Sequence, residues 1–483
     1  MSPSKARTLA QNLGLVLGLA LLVLAVFTEP PGGLTVAAWR TAGVSALMAV
    51  WWATEALPIP ATALMPIGVL PLLGVADVDT VAAGYGNSTI YLILGGFLVA
   101  LAMERWDLHK RIAYNVVVHA GGSPRLLVLG MMSATAFVSM WASNTSTALM
   151  MIPVALSVAH IVAPDLEQAS SDQRNFAAAI VCCVAFGATI GGLGTIVGTP
   201  TNALAVGFMR ENYGIGISFA EWLIFGVPTV LILLPLAWLA LMQALPFKLG
   251  TQAAAGRAVE QALADLGPVS AAERRVAWVF VATALSWVFR PLLVELPGLG
   301  RLNDTAIAIA AGLVLFLVPA GTSDGGALLR GPDLRRVPWD VLLLFGGGLA
   351  LAAIIQDSGL SQQIGQLLGG LAGLPLVALV FLVCLLLVFW TELNSNVAAA
   401  ATFMPILGAI AGGTDYPVIA LVAPAAMAAS CGFMLPVGTP PNAIVYGTGQ
   451  ISMRQMMRAG FWVDVVSVFV ITGVIMLVLP WLT

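Results

Sequence analysis

Two polar clusters stand 252 residues apart inside otherwise apolar sequence: Ser143-Asn144-Thr145, leading to Pro153, and Ser395-Asn396-Val397, leading to Pro405. A second echo follows each, Gly198-Thr199-Pro200-Thr201-Asn202 and Gly438-Thr439-Pro440-Pro441-Asn442. Short hydroxyl and amide side chains beside glycine and proline interrupt helices. An interrupted helix offers bare N–H groups where it restarts and bare carbonyls where it stops, a combination suited to an anion together with a small cation. Such breaks are costly in apolar surroundings, so their duplication points to one site built from two related halves.

Ser143 or Asn144 can cap the helix that restarts after the first cluster, and Ser139 and Thr391 place hydroxyls four residues before Ser143 and Ser395. An ordinary two-helix hairpin with a polar turn would return the chain to the same side equally well. The repetition and the added hydroxyls favour a site. Behind Gly187, Gly191, Gly192 and Gly194, the Gly198-Thr199-Pro200 stretch cannot continue an α-helix, so the backbone must unwind or kink there. Unwound carbonyls need partners, and a desolvated Na⁺ is one, with Asn and Ser side chains of the neighbouring hairpin. No Lys, Arg or His lies in either cluster, so an anion bound there depends on helix N-termini, Thr and Asn donors and bound cations. Glu392 is the one carboxylate nearby and either orients the hairpin or titrates; its counterpart in the first repeat is Met140. Trp141 and Trp390 either wedge the tips by packing or wall the pocket. His109, His119 and His160 follow no metal or catalytic pattern, and Cys182, Cys183, Cys384 and Cys431 lack metal-ligand spacing, which leaves packing as their role.

The elements that must position these clusters are membrane helices. The 483 residues are 59% hydrophobic and 9% charged, and runs such as 13–27 and 461–482 are apolar all round. The fold class is all-α, a polytopic membrane protein. Spans are expected at 11–28, 35–53, 57–76, 88–106, 176–210, 219–246, 275–293, 303–320, 338–356, 416–448 and 460–481, with re-entrant hairpins at 124–162 and 374–412. That gives eleven transmembrane helices plus two hairpins. With the N-terminus cytoplasmic and the C-terminus outside, Lys5, Arg7, Arg105, Lys110, Arg111, Arg125, Arg174, Lys248, Arg257, Arg274, Arg275, Arg330, Arg335, Arg336, Arg454 and Arg458 fall inside. Only Arg40, Arg210, Arg290 and Arg301 fall outside. The first segment is read as a retained helix, with no small-residue cleavage site after Phe27.

Leu94-Gly95-Gly96-Phe97 answers Phe345-Gly346-Gly347-Gly348 about fifty residues before each Ser-Asn pair, so the repeated unit is helix, hairpin, broken helix. Under this topology the first unit opens to the cytoplasm and the second outward, as inverted repeats. Residues 248–274 read as a cytoplasmic amphipathic linker on the membrane surface, and 320–338 as a flexible inner loop. A channel would need a continuous polar pathway, whereas polarity here concentrates at two tips. An enzyme would need a nucleophile, base or metal constellation, and the sequence shows none.

At these residues the chain resembles the divalent anion:sodium symporter family, the Na⁺-coupled dicarboxylate, citrate and sulfate carriers. The resemblance runs through Trp51-Trp52-Ala53-Thr54-Glu55-Ala56-Leu57-Pro58-Ile59-Pro60, the Gly95-Gly96-Phe97 helix, both Ser-Asn hairpins and both Thr-Pro-x-Asn breaks. It implies a homodimer in the plasma (inner) membrane, with scaffold helices at 1–120 and 275–370. Transport units at 121–247 and 371–483 would then move like an elevator. It further implies one Na⁺ at Ser139, Ser143, Asn144 and the Gly198 carbonyl, and a second at Thr391, Asn394, Asn396 and the Gly438 carbonyl, hence two or more Na⁺. Substrate carboxylates would meet Ser143, Asn144 and Thr145 from one hairpin and Ser395, Asn396 and Val397 from the other, with Thr199, Pro200, Thr439 and Pro440 nearby. The expected activity is symport of a C4-dicarboxylate such as succinate, malate or fumarate; an exchanger, or a citrate or sulfate carrier, is the alternative. Val397 departs from the repeat of Thr145 and keeps only the backbone donor, and Asn394 stands where the first repeat has Ala142.

Overall fold

The computed structural model describes residues 7–119, 123–250, 253–322, 325–367, 373–414 and 416–481. Lys5 and the expected unit boundaries at 120, 370 and 483 lie outside these residues. Among the described residues the secondary structure is helical, apart from one isolated bridge between Pro319 and Ala327. Seven helices there are long and apolar enough to cross a bilayer.

The repeat is visible element by element. Helices Ser88–Arg105, Leu108–His119, Pro124–Ser139, Asn144–Val162, Ser171–Gly192, Pro200–Tyr213 and Phe219–Ala244 recur in order. Their counterparts are Trp339–Asp357, Leu360–Leu367, Leu376–Thr391, Asn396–Gly412, Val418–Ser430, Pro440–Gly447 and Met453–Val478. Local chemistry sets the same boundaries in both copies. Pro200 and Pro440 sit in the first turn of the restarting half-helix, where a missing N–H costs nothing. Ser218 with Glu221, and Ser452 with Gln455, form capping boxes that start the last helix of each unit.

Hydrogen bonds sort the connectors into two faces. On one, Arg105 pairs with Asp333, Arg336 with Glu104 and Arg111 with Glu273, while Arg275 donates to the Pro319 carbonyl. On the other, Asn87 binds Glu211, Thr305 binds the Ser88 carbonyl, Arg290 meets Asp304 and Thr35 binds the Ser358 carbonyl. Helix Ser88–Arg105 therefore runs from the second face to the first and Trp339–Asp357 runs back. The two units are antiparallel, as inverted repeats require.

The core sits at the broken helices. Every residue from Phe176 to Gly192 is buried, so this helix is apolar all round and surrounded by protein. Helix Leu9–Phe27 buries only Gly14, Gly18 and Ala25 and turns its remaining surface outward. Close approach between Ser171–Gly192 and the first hairpin depends on Gly187 and Gly191: a Cβ on Gly191 would collide with the Ala136 carbonyl, and one on Gly187 would lie 2.6 Å from the Met132 carbonyl.

Four expectations change. Residues 57–76 do not form one helix: Pro58, Pro60, Pro66 and Pro71 leave two short pieces, Ile59–Thr62 and Met65–Leu72. Helices Leu108–His119 and Leu360–Leu367 were not expected, because half-polar, amphipathic segments fall below an apolar-run criterion. The linker helix Ala253–Asp265 docks on protein, packing on Leu108–His119 and Asn144–Val162 with Val259 buried. The inner loop is pinned: the Pro319–Ala327 bridge, a bond from Trp106 Nε1 to the Leu328 carbonyl and the 3-10 turn Gly331–Arg336 tie it to helix Ser88–Arg105.

Gly191→Val should cost more than about 3 kcal/mol, because the obstructing neighbour is backbone. The reading is loss of a monodisperse peak and of cooperative thermal unfolding in detergent. Gly473→Ala meets nothing within 4 Å and should stay within about 1 kcal/mol of the parent.

Candidate functional site

The first hairpin turns at 140–143 and restarts with Ser143 as N-cap, its hydroxyl accepting the Ser146 N–H at 3.2 Å. Ser139, fully buried, donates to Asn144 Oδ1 at 2.9 Å and to the Ala188 carbonyl at 2.7 Å. Two orientations of the Asn144 amide are open. With nitrogen inward it donates to Gly198 O at 3.2 Å, Ser139 Oγ at 2.9 Å and Ala188 O at 3.1 Å. With oxygen inward, four oxygens from Ser139, Asn144, Ala188 and Gly198 face one another with too few protons between them. A small desolvated cation fits that donor set.

The second hairpin repeats the device. Thr391 Oγ1 lies 2.8 Å from both Asn396 Oδ1 and the Ala429 carbonyl, sharing its one proton between them, and Asn396 Nδ2 donates to the Ser430 carbonyl at 3.3 Å. A Cβ on Gly432 would lie 3.4 Å from Thr391 and 3.5 Å from the Gly438 carbonyl, so these groups flank one space. Ser395 is the N-cap here without a side-chain bond. Asn394 does not join the cluster; its amide turns back to the Trp390 carbonyl at 3.3 Å. The reason is local: Asn394 sits in the tight turn after Thr391, within reach of the last carbonyls of the helix it has just left.

The halves meet. Thr199 and Thr201 hydroxyls reach the Ser430 hydroxyl, at 3.3 and 2.5 Å, across the two breaks. Phe186 packs edge-on against Phe433 with centroids 5.2 Å apart. Helix Pro440–Gly447 packs on Asn144–Val162, and Pro200–Tyr213 packs on Asn396–Gly412, so each hairpin leans on the other half's restarted helix. Thr199 and Thr439 are buried N-caps, and Thr439 Oγ1 accepts the Asn442 N–H at 3.4 Å. Thr145 and Val397 are half-buried on the first turns of their helices. Trp141 packs against Phe280 and Phe219, and Trp390 against Phe403.

Three features escape a reading of the clusters alone. Asn202 Nδ2 donates to the carbonyls of Gly192 and Thr195 at 3.0 and 2.9 Å, and Asn442 Nδ2 to those of Gly432 and Leu435 at 3.0 Å each. The same side chain thus holds the same unwound loop, ten and seven residues back, in both units. In the second unit alone, Glu392 accepts the N–H groups of Met434 and Leu435, both at 2.7 Å, and Asp464 accepts that of Phe433 at 3.2 Å. Asp464 was legible as a lone acid in the apolar 460–481 run. The Ala188 and Ala429 carbonyls carry no sequence signal, being backbone.

A family profile described as "Sodium:sulfate symporter transmembrane region" matches residues 9–483. The chain belongs to the divalent anion:sodium symporter family. It is a membrane transporter and not an enzyme. Among its relatives is the "Sodium-dependent dicarboxylate transporter SdcS" of Staphylococcus aureus strain USA300, 39% identical over 97% of this chain and 91% of the relative. The protein of the same name from strain NCTC 8325 / PS 47 matches to the same extent. Among solved structures, the Alcanivorax borkumensis YdaH transporter superposes with a TM-score of 0.58 at 15% identity, covering 91% of this chain and 98% of that one. At that identity the likeness concerns the fold alone.

Asn202→Ala and Asn442→Ala should each lower stability by about 2–4 kcal/mol, since each strands two buried carbonyls. The measurement is thermal unfolding in detergent. Equal effects in the two halves are expected.

Proposed function

We propose that this transporter couples inward movement of a C4-dicarboxylate, such as succinate, malate or fumarate, to two or more Na⁺. One observation carries the reading: the oxygen cluster of Ser139, Asn144, Ala188 and Gly198 has a counterpart in Thr391, Asn396 and Ala429 beside Gly438. The two flank a shared break with no Lys, Arg or His among the described side chains bonded to either. A dianion has no side-chain counter-charge in such a place, and Na⁺ supplies it. The name of the relatives at 39% identity supports both the sodium and the dicarboxylate.

The first Na⁺ is assigned to Ser139, Ser143, Asn144 and the Gly198 carbonyl, with the Ala188 carbonyl added. The second is assigned to Thr391, Asn396 and the carbonyls of Gly438 and Ala429, without Asn394. The anion then lies between the first turns of Asn144–Val162 and Asn396–Gly412, whose N–H groups point at it. There it meets Ser143, Asn144 and Thr145 on one side and Ser395, Asn396 and Val397 on the other. Thr199, Pro200, Thr439 and Pro440 close the site from the restarted half-helices. Val397 contributes its backbone N–H and an apolar methyl pair, which suits the carbon chain of a dicarboxylate better than a tetrahedral oxyanion.

The charged face holding Glu104, Asp333 and Arg336 is assigned as cytoplasmic, because most Lys and Arg gather there. The eleven-span topology, the re-entrant hairpins, an elevator movement of the two hairpin units against the scaffold helices and pairing with a second copy follow the family resemblance. Glycines at the boundary support a sliding contact: Gly96 faces Val197, Gly348 faces Leu204 and Ala401, and Gly207 lies against Leu349 and Thr89.

Asn144→Ala and Asn396→Ala should each reduce Na⁺-driven uptake of labelled succinate into proteoliposomes at least tenfold. Ser139→Ala and Thr391→Ala should raise the Na⁺ concentration for half-maximal uptake several-fold, each removing one oxygen of a cluster. Normal uptake and Na⁺ dependence in either asparagine variant would refute the assignment, and competition by sulfate or citrate in place of malate would reassign the substrate.

A further inference from the structure

A cavity of about 120 Å³ leads away from the first hairpin tip. Its walls are chiefly apolar; its polar lining is Ser143, Ser146 and Thr147, at the first turn of helix Asn144–Val162, together with His109, Glu104 and Arg336. Thr147 is 1% exposed, and its hydroxyl has no hydrogen-bond partner. A buried hydroxyl left bare beside a cavity is a group awaiting a polar visitor. Arg336 and Glu104 pair at 2.5 Å with side chains 49% and 41% exposed, so the pair meets solvent at the mouth. The turn that carries Arg336 is fixed from behind, since Asp333 accepts from Arg105 and from the Arg330 N–H.

The mouth therefore carries an exposed ion pair on a turn held by Asp333, and separating that pair changes its local charge. His109 does not compete for this role: burial lowers its basicity, and its Nδ1 is held by the Met103 carbonyl at 2.6 Å. Arg336 is the one cationic side chain lining the cavity among the described residues.

We propose that this cavity is a second, weaker dicarboxylate station on the cytoplasmic side, where Arg336 exchanges its bond to Glu104 for a carboxylate of the passing anion. The proposal rests on the transport reading above and deepens it. At the tip the anion leaves helix N–H groups and bound cations for open water, and a dianion crossing that stretch with nothing cationic beside it meets a barrier. Arg336 at the exposed end, with Ser146 beside the tip, shortens the unsupported distance. A guanidinium suits a carboxylate bidentately, and Glu104 covers the charge between passages. Because the pair is solvent-exposed, its pull on the anion should weaken with ionic strength.

The test compares the KM for succinate at the two faces, using right-side-out and inside-out membrane vesicles. Arg336→Gln should raise the KM at the cytoplasmic face about 5- to 10-fold more than at the outer face. Arg336→Lys should raise the ratio less than Arg336→Gln does, since the charge remains while the two-pronged contact is lost. Glu104→Gln should lower the cytoplasmic KM, because it frees the guanidinium. A purely structural ion pair predicts that Arg336→Gln and Glu104→Gln move KM in the same direction, and that result overturns the proposal, as does an unchanged ratio in Arg336→Gln. If the parent protein moves no succinate on a Na⁺ gradient in either vesicle, the transport reading itself falls and this inference with it. A parent that transports normally while Arg336→Gln leaves the ratio unmoved sinks the second station alone.

Discussion

Everything in this protein turns on keeping unwound backbone satisfied in a place without water. Each broken helix releases carbonyls and N–H groups that neither lipid nor apolar side chains can partner, and an unpaired buried group costs about 1–3 kcal/mol. Asn202 and Asn442 answer with the same geometry, each amide holding carbonyls ten and seven residues upstream. Once these clamps occupy some carbonyls, that of Gly198 is left beside the Asn144 amide, and that of Gly438 faces Gly432 near Thr391. The candidate site is the part of the break that the clamps leave open.

The two halves solve the remaining problem differently. In the first, the Thr195 hydroxyl donates to the Met140 carbonyl at 2.5 Å and accepts the Gly198 N–H at 3.0 Å, so a neutral side chain joins hairpin tip to loop. In the second, Glu392 and Asp464 take three consecutive N–H groups, those of Phe433, Met434 and Leu435. Two acid side chains that accept three successive backbone N–H groups hold their loop at more points than the single Thr195 hydroxyl holds its own. The second break is therefore braced by acceptors from its hairpin and from the last helix, and the first by one hydroxyl bridge, although each half sets a hydroxyl beside an asparagine amide. Gly226 and Gly460 allow the last helix of each unit to approach its own unwound loop closely enough for such bracing.

Much of the candidate cluster was legible in the residues. Ser139, Ser143, Asn144 and Thr391, Asn396 announce themselves as polar types repeated at a fixed interval in apolar sequence, and the structure gathers them with the hydroxyl-to-amide bonds that the spacing allows. Asn394 misled because proximity in sequence does not fix the direction of a side chain in a tight turn. The Ala188 and Ala429 carbonyls were invisible, since any residue type supplies a carbonyl and only the path of the backbone aims it. The pinned loop 320–338 was missed for a related reason: its glycines suggested freedom, while the partners that remove it lie more than 200 residues away, at Glu104, Arg105 and Trp106.

The sequence by itself determined the membrane-embedded, all-helical class, the duplicated polar breaks and the residue types available for a cation and an anion, because hydropathy and helix-breaking chemistry are local properties. The tertiary structure alone decided which carbonyls join those side chains, that Ser430 ties one break to the other, and that Arg336 stands at the end of a cavity leading from the first tip. Those facts depend on distances between segments hundreds of residues apart, and such distances are set by how helices pack, which no local pattern encodes.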